Sequence, residues 1–219
     1  MAISNNSTGL RPGVCTSTTR PTAPYEGQMI YETDTDLTYV WGGSAWQQVS
    51  GGTAVGNSGL VYITSASMSG STFSISNCFT STYDNYFIII NQMIVASGNS
   101  LGLQYKSGAA VDSSANYIGQ RLYAQSSTVG GVRATGQTSN GIGYTYSGYA
   151  SQLELTIFQP YLTRQTAVAT REIYNETNFP NIEQNQGIIN TTTSYDGFVI
   201  TPAGSTFSSG TVTIYGYRK

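Results

Sequence analysis

Hydrophobic positions along this chain recur with a period of two, in short runs separated by clusters of Gly, Ser, Thr and Asn. Leu153, Leu155 and Ile157 alternate with Gln152, Glu154 and Thr156, the pattern of a strand with one packed face and one wet face. Tyr86–Val95 is apolar on both faces, as befits a central strand or one beneath a second layer. Similar runs predict strands over Leu60–Thr64, Thr72–Ser76, Leu101–Lys106, Tyr117–Gln125, Ile142–Tyr146, Ala167–Arg171, Gly187–Asn190, Gly197–Thr201 and Thr211–Tyr217. No long segment carries a 3.6-residue period. Only 171–186 is long and polar enough to hold a helical turn, which Pro180 would interrupt; otherwise it reads as a solvated loop. The lack of an internal repeat argues against a β-helix or propeller. The pattern predicts an all-β chain whose residues 60–219 form a jelly-roll β-sandwich.

The N-terminal quarter has a different texture. Residues 1–24 show neither period, and Pro12, Pro21 and Pro24 remove backbone donors, so this stretch reads as an extended arm. Residues 25–50 read as a small β-hairpin module. Gln28–Glu32 and Leu37–Trp41 flank the turn residues Thr33, Asp34, Thr35 and Asp36, and a third short strand returns from Ala45. Two or three short strands are marginal in water. The aromatics Tyr31, Tyr39, Trp41 and Trp46 are therefore expected to pack on the sandwich or on another chain. Residues 51–59, with Gly51, Gly52, Gly56 and Gly59, form the linker.

Composition removes most chemistry. Among 219 residues, charged side chains make up 9%, against about 25% in an ordinary domain. With no histidine, a His general base, a Ser-His-Asp triad and a His metal ligand are all excluded. Nine basic residues, scattered, leave no nucleic-acid footprint. Seventeen tyrosines and a net charge of −2 speak against disorder, and mean hydropathy is −0.17. Cys15 and Cys78 have no metal-type spacing and read as two unpaired small hydrophobes rather than a disulfide. The first residues lack the charged and apolar regions of a signal peptide, and no apolar run approaches membrane-spanning length, so the expectation is a soluble protein made in a cytoplasm. Asp34 and Asp36 form a carboxylate pair, but the further ligands of a calcium loop are missing, and turn chemistry accounts for both. No pattern selects a glycosidase carboxylate pair. The chain is expected to be no enzyme and to hold no cofactor or metal.

Two segments suit recognition. Residues 141–149 combine Tyr144, Tyr146 and Tyr149 with Gly and Ser, a vocabulary that offers wide contact area at low entropy cost. The competing reading is cross-strand packing of these tyrosines. The polar stretch 171–186 concentrates Arg171, Glu172, Glu176 and Glu183. Strand edges are usually guarded by lysine, yet only Lys106 and Lys219 occur here, so closed symmetric self-assembly is expected.

The run from Thr19 through Arg20, Pro21, Pro24, Gly27, Ile30, Tyr31 and Thr33–Thr35, followed by Tyr39, Trp41 and Trp46, resembles a short module of tailed-bacteriophage virion proteins. That pattern, roughly R-P-x-x-P-x-x-G-x-x-I-Y-x-T-D-T, is found in tail fibres, minor tail proteins and head-decoration proteins. Residues 194–198 and 210–218 look like the closing strands of the jelly-roll tips of such proteins. The resemblance implies a virion structural protein assembled as a homotrimer. Its partners would be other phage tail or capsid proteins and, for a tail fibre, a host surface glycan or protein, with neither nucleic-acid binding nor membrane insertion. Head fibre or capsid decoration is the alternative. On this reading the arm, with Arg11, Pro12, Arg20 and Pro21, anchors the protein to the particle. The resemblance brings no catalytic residue.

Overall fold

The computed structural model describes residues 12–50, 59–176 and 179–219, all strands and turns, with no helix among them. Two compact units emerge, residues 1–58 and 59–219.

The first unit is a four-stranded sheet of β1 (Gly13–Cys15), β2 (Met29–Glu32), β3 (Leu37–Trp41) and β4 (Trp46–Ser50), in that order. The first strand corrects the expected arm. Gly13, Val14 and Cys15 pair parallel with Ile30, Tyr31 and Glu32. Side chains in the hairpin turn secure this pairing: the Ser17 amide and hydroxyl both donate to the Asp34 carboxylate, the hydroxyl at 2.6 Å. The extended segment thus finds a partner strand within its own module. Arg11 and residues 51–58 of the expected linker lie outside the described residues. Both cysteines are free.

The second unit runs through β5 (Leu60–Ser67), β6 (Phe73–Ile75), β7 (Asn85–Val95), β8 (Ser100–Ser107), β9 (Ala110–Val111), β10 (Tyr117–Gln125) and β11 (Thr128–Gln137). It continues with β12 (Asn140–Tyr144), β13 (Ser151–Phe158), β14 (Thr166–Glu176), β15 (Phe179–Ile189), β16 (Gly197–Pro202) and β17 (Phe207–Tyr217). The larger sheet has the order β11-β10-β15-β14-β13-β7-β17-β5, and the smaller β12-β8-β16-β6, with β9 beside β8. Taken in chain order, β5, β6, β7, β8, β12, β13, β16 and β17 trace a jelly roll. The first, eighth, third and sixth of them make one sheet, and the second, seventh, fourth and fifth make the other. Two insertions, β9–β11 and β14–β15, meet each other beyond β13 and widen the larger sheet by four strands.

The core lies between the jelly-roll sheets. Ile88, Ile90, Leu153, Leu155, Ile157 and Ile214 from one sheet face Leu101, Leu103, Ile142, Phe198 and Ile200 from the other, all buried. Two of the tyrosines in this core, Tyr117 and Tyr195, bring hydroxyls that find partners. Tyr117 donates to the Asp112 carbonyl at 2.8 Å, and Tyr195 to the Asp112 carboxylate at 2.6 Å.

The stretch 171–186 is neither loop nor helical turn. It is most of a long hairpin in which Arg171 pairs with Gln184 and Ile173 with Ile182. Pro180 is tolerated as the second residue of β15, beside the Glu176–Phe179 pair, where β10 has not yet begun to pair. Gly130, Gly131 and Gly136 hide the alternation of β11 in the sequence.

Candidate functional site

Beyond β13 the inner face of the large sheet changes character. Thr170, Glu172 and Tyr174 on β14, Asn181, Glu183 and Asn185 on β15, and Arg121 and Tyr123 on β10 all point inward. The β12 strand lies across them. Polar side chains so placed demand partners. Arg121 Nη2 stands 2.8 Å from Glu183 Oε2, Asn185 Nδ2 donates to Glu183 Oε1 at 2.9 Å, and the Asn185 amide donates to Thr170 Oγ1 at 3.2 Å.

Glu172 closes this network from the other side. It is wholly buried, and its Oε2 accepts the Tyr144 amide at 2.6 Å. Burial pushes its carboxyl well above the usual range, helped by Glu183 and opposed by the Tyr144 amide and Arg121. Burial also raises Glu183, against the bond from Asn185 and the charge of Arg121. Such close approach of β12 to Glu172 requires glycine at 143, since a Cβ there would run into the carboxyl group.

An aromatic cluster caps the network. The rings of Tyr146 and Tyr174 stack with centroids 6.1 Å apart and planes 12° apart, and Tyr144 lies 5.7 Å from Tyr146 and 5.9 Å from Tyr174. The Arg121 guanidinium sits 4.6 Å over Tyr123 and 5.9 Å from Tyr144. Gln125 Nε2 bridges the Tyr146 hydroxyl at 3.1 Å and Glu176 Oε2 at 3.0 Å. Glu176 raises the Tyr146 phenol through their side-chain contact, while burial pushes Tyr174 up to about 12. Among the described residues, the Tyr174 hydroxyl and Glu172 Oε1 find no hydrogen-bond partner. Chemically, this is a half-open aromatic surface with a carboxylate and an amide on its rim and two buried acids beneath, one of them ion-paired.

Of the three tyrosines singled out from the sequence, Tyr144 and Tyr146 meet here, half-buried, so ring packing and surface presentation coexist. Tyr149 lies apart in the following turn, with a relative exposure of 38%. In the module, Trp41 and Trp46 meet edge to face at 5.5 Å, both half-buried. The Tyr31 hydroxyl donates to Asp36 at 2.7 Å, and Tyr39 lies beneath the Arg20 guanidinium at 4.4 Å. Arg20 also donates to buried Glu32, so this expected anchor residue is engaged inside its own module. Pro12 and Pro21 are half-buried.

Sequence reasoning missed Arg121, Tyr123, Tyr174 and the roles of Glu172 and Glu183. The hydrophobic alternation of β14 and β15 is inverted here, with Ile173 and Ile182 outside and the glutamates inside. Among the described residues no group of three or more Cys, Asp or Glu is placed to hold a metal ion. No protein-family model, curated protein or solved structure matches this chain.

Proposed function

We propose that this chain is a structural protein of a tailed-bacteriophage virion, a tail fibre or similar appendage that attaches the particle to its host by binding rather than catalysis. The N-terminal module would carry it on the particle, and the jelly roll would face outward. The observation that carries the attachment role is the cluster of Tyr144, Tyr146 and Tyr174 with Arg121, raised on a sheet that insertions have widened beyond the jelly-roll frame. Rigid scaffolds with inserted elements are where recognition is added without loss of the fold. Tyrosine offers a flat face to a sugar or protein and a hydroxyl to orient it.

Gold-labelled antibody against the chain, imaged on purified particles, tests the reading. Label at the tail in tens of copies per particle is the expected result. Hundreds of copies on the head would instead mark a capsid-decoration protein, and absence from the particle would refute virion membership.

A further inference from the structure

A second surface, on the outer face of the widened sheet, has the chemistry of a binding groove. Two rows of side chains cross the strands there. One row runs Phe158, Ala167, Ile188, Ile118, and the other Ala169, Gln186, Gln120, Arg133, each in cross-strand register. Ala167 and Ala169 are too small to fill the space between the rows, and a groove of about 390 Å³ remains. Its banks differ: Phe158, Ile188 and Ile118 are apolar, whereas Gln186, Gln120 and Arg133 are exposed and polar.

We propose that this groove binds a saccharide bearing a carboxylate. A pyranose ring has one apolar face and an edge of hydroxyls, which matches one apolar bank and one bank of planar amides. Gln186 and Gln120 stand on adjacent strands, about 4.8 Å apart, so each serves a different hydroxyl along the ring edge. The acid follows from charge. Arg171, on the same face, is neutralised by Glu154, with Nη2 2.5 Å from Oε2. Arg133 forms no ion pair among the described residues. A free guanidinium at the end of a hydrogen-bonding row takes a carboxylate in bidentate fashion. The site deepens the attachment reading and rests on it only for the origin of the sugar.

Calorimetric titration of the purified full chain with trigalacturonic acid and with its methyl ester tests the groove. The acid should bind at least tenfold more tightly than the ester. Arg133→Gln should erase that preference, and Gln120→Ala should weaken both probes severalfold. Ala169→Gln, which fills the groove from an outward, half-buried position, should abolish binding while the melting temperature holds. No saturable binding, equal affinity for acid and ester, or an acid preference that survives Arg133→Gln would each overturn the proposal. So would sedimentation showing that the face is covered by a second copy of the chain, released by Ala169→Gln. Because the titration uses purified protein, its failure removes the groove and leaves virion membership to the labelling experiment.

Discussion

The backbone amide of Tyr144 donates to the buried carboxyl of Glu172 at 2.6 Å, joining the jelly-roll frame to the strands inserted into it. Two buried acids lie beneath the tyrosine cluster, Glu172 and Glu183, and their protonation has consequences for stability. Glu172 and Glu183 both have carboxyls raised by burial, so the folded state holds their protons more tightly than the unfolded chain does. That stabilisation is full below the unfolded value, near 4.5, and is lost as pH rises toward the folded values.

Glu172→Gln keeps an acceptor for the Tyr144 amide and removes the ionisation. Its melting temperature is expected to fall less between pH 5 and pH 9 than that of the parent chain. At the alkaline end the variant should be more stable by about 1 kcal/mol, a shift of roughly 2–4 °C. Glu183, still paired with Arg121, leaves a residual slope. Parallel thermal melts across that range settle the point, and equal slopes would remove Glu172 from the account.

Gly143→Ala places a methyl group against the Glu172 carboxyl. Since the Glu172 carboxyl is wholly buried and held by the Tyr144 amide, it has little room to give way, and a loss of about 1–3 kcal/mol is expected in denaturant unfolding. Combined with Glu172→Ala, the loss should fall short of the sum of the two single changes, because the clash is removed with its partner.

The N-terminal module should show the opposite pH behaviour. Glu32 is held below the usual carboxylate range mainly by Arg20, and Asp34 mainly by Ser17. Depressed acids stabilise above their unfolded values and lose that contribution as pH falls through the folded ones. Both tryptophans lie in this module, so tryptophan fluorescence isolates it from the rest of the chain. The fluorescence should report loosening of the module below about pH 4. Arg20→Ala should move that transition toward neutral pH.

The Trp41–Trp46 pair should give an exciton couplet in circular dichroism, from rings 5.5 Å apart at 63°. Trp41→Ala should abolish the couplet and destabilise the module by about 0.5–1.5 kcal/mol beyond the lost burial. An unchanged couplet would mean that the rings do not meet in solution.

Deletions can divide the arm. Removing residues 2–12 leaves β1 in place and should not alter tryptophan fluorescence. Removing residues 2–18 takes away the strand paired with Ile30–Glu32 and the Ser17–Asp34 bonds, and should destabilise the module. If the arm is the particle anchor, the shorter deletion already prevents incorporation into virions while the module stays folded.

What the sequence determined by itself was the set of strands whose apolar side faces the core. Leu153, Leu155 and Ile157 were legible because burying them requires a period of two, and that requirement is local. The jelly-roll frame followed from many such strands in succession. Tertiary structure decided where polar residues went. Glu172 and Glu183 look like solvated side chains in one dimension, and Ile173 and Ile182 look like core, yet their places are exchanged. The reason is that β14 and β15 pack against β12 and β10, which supply Arg121 and the Tyr144 amide from positions 28 to 62 residues away. A carboxyl group can be buried only where such partners arrive, and their arrival depends on two insertions meeting in one sheet. The same meeting set Gln120, Gln186 and Arg133 in a row. No local pattern encodes that row, because its members come from three strands and share only a register.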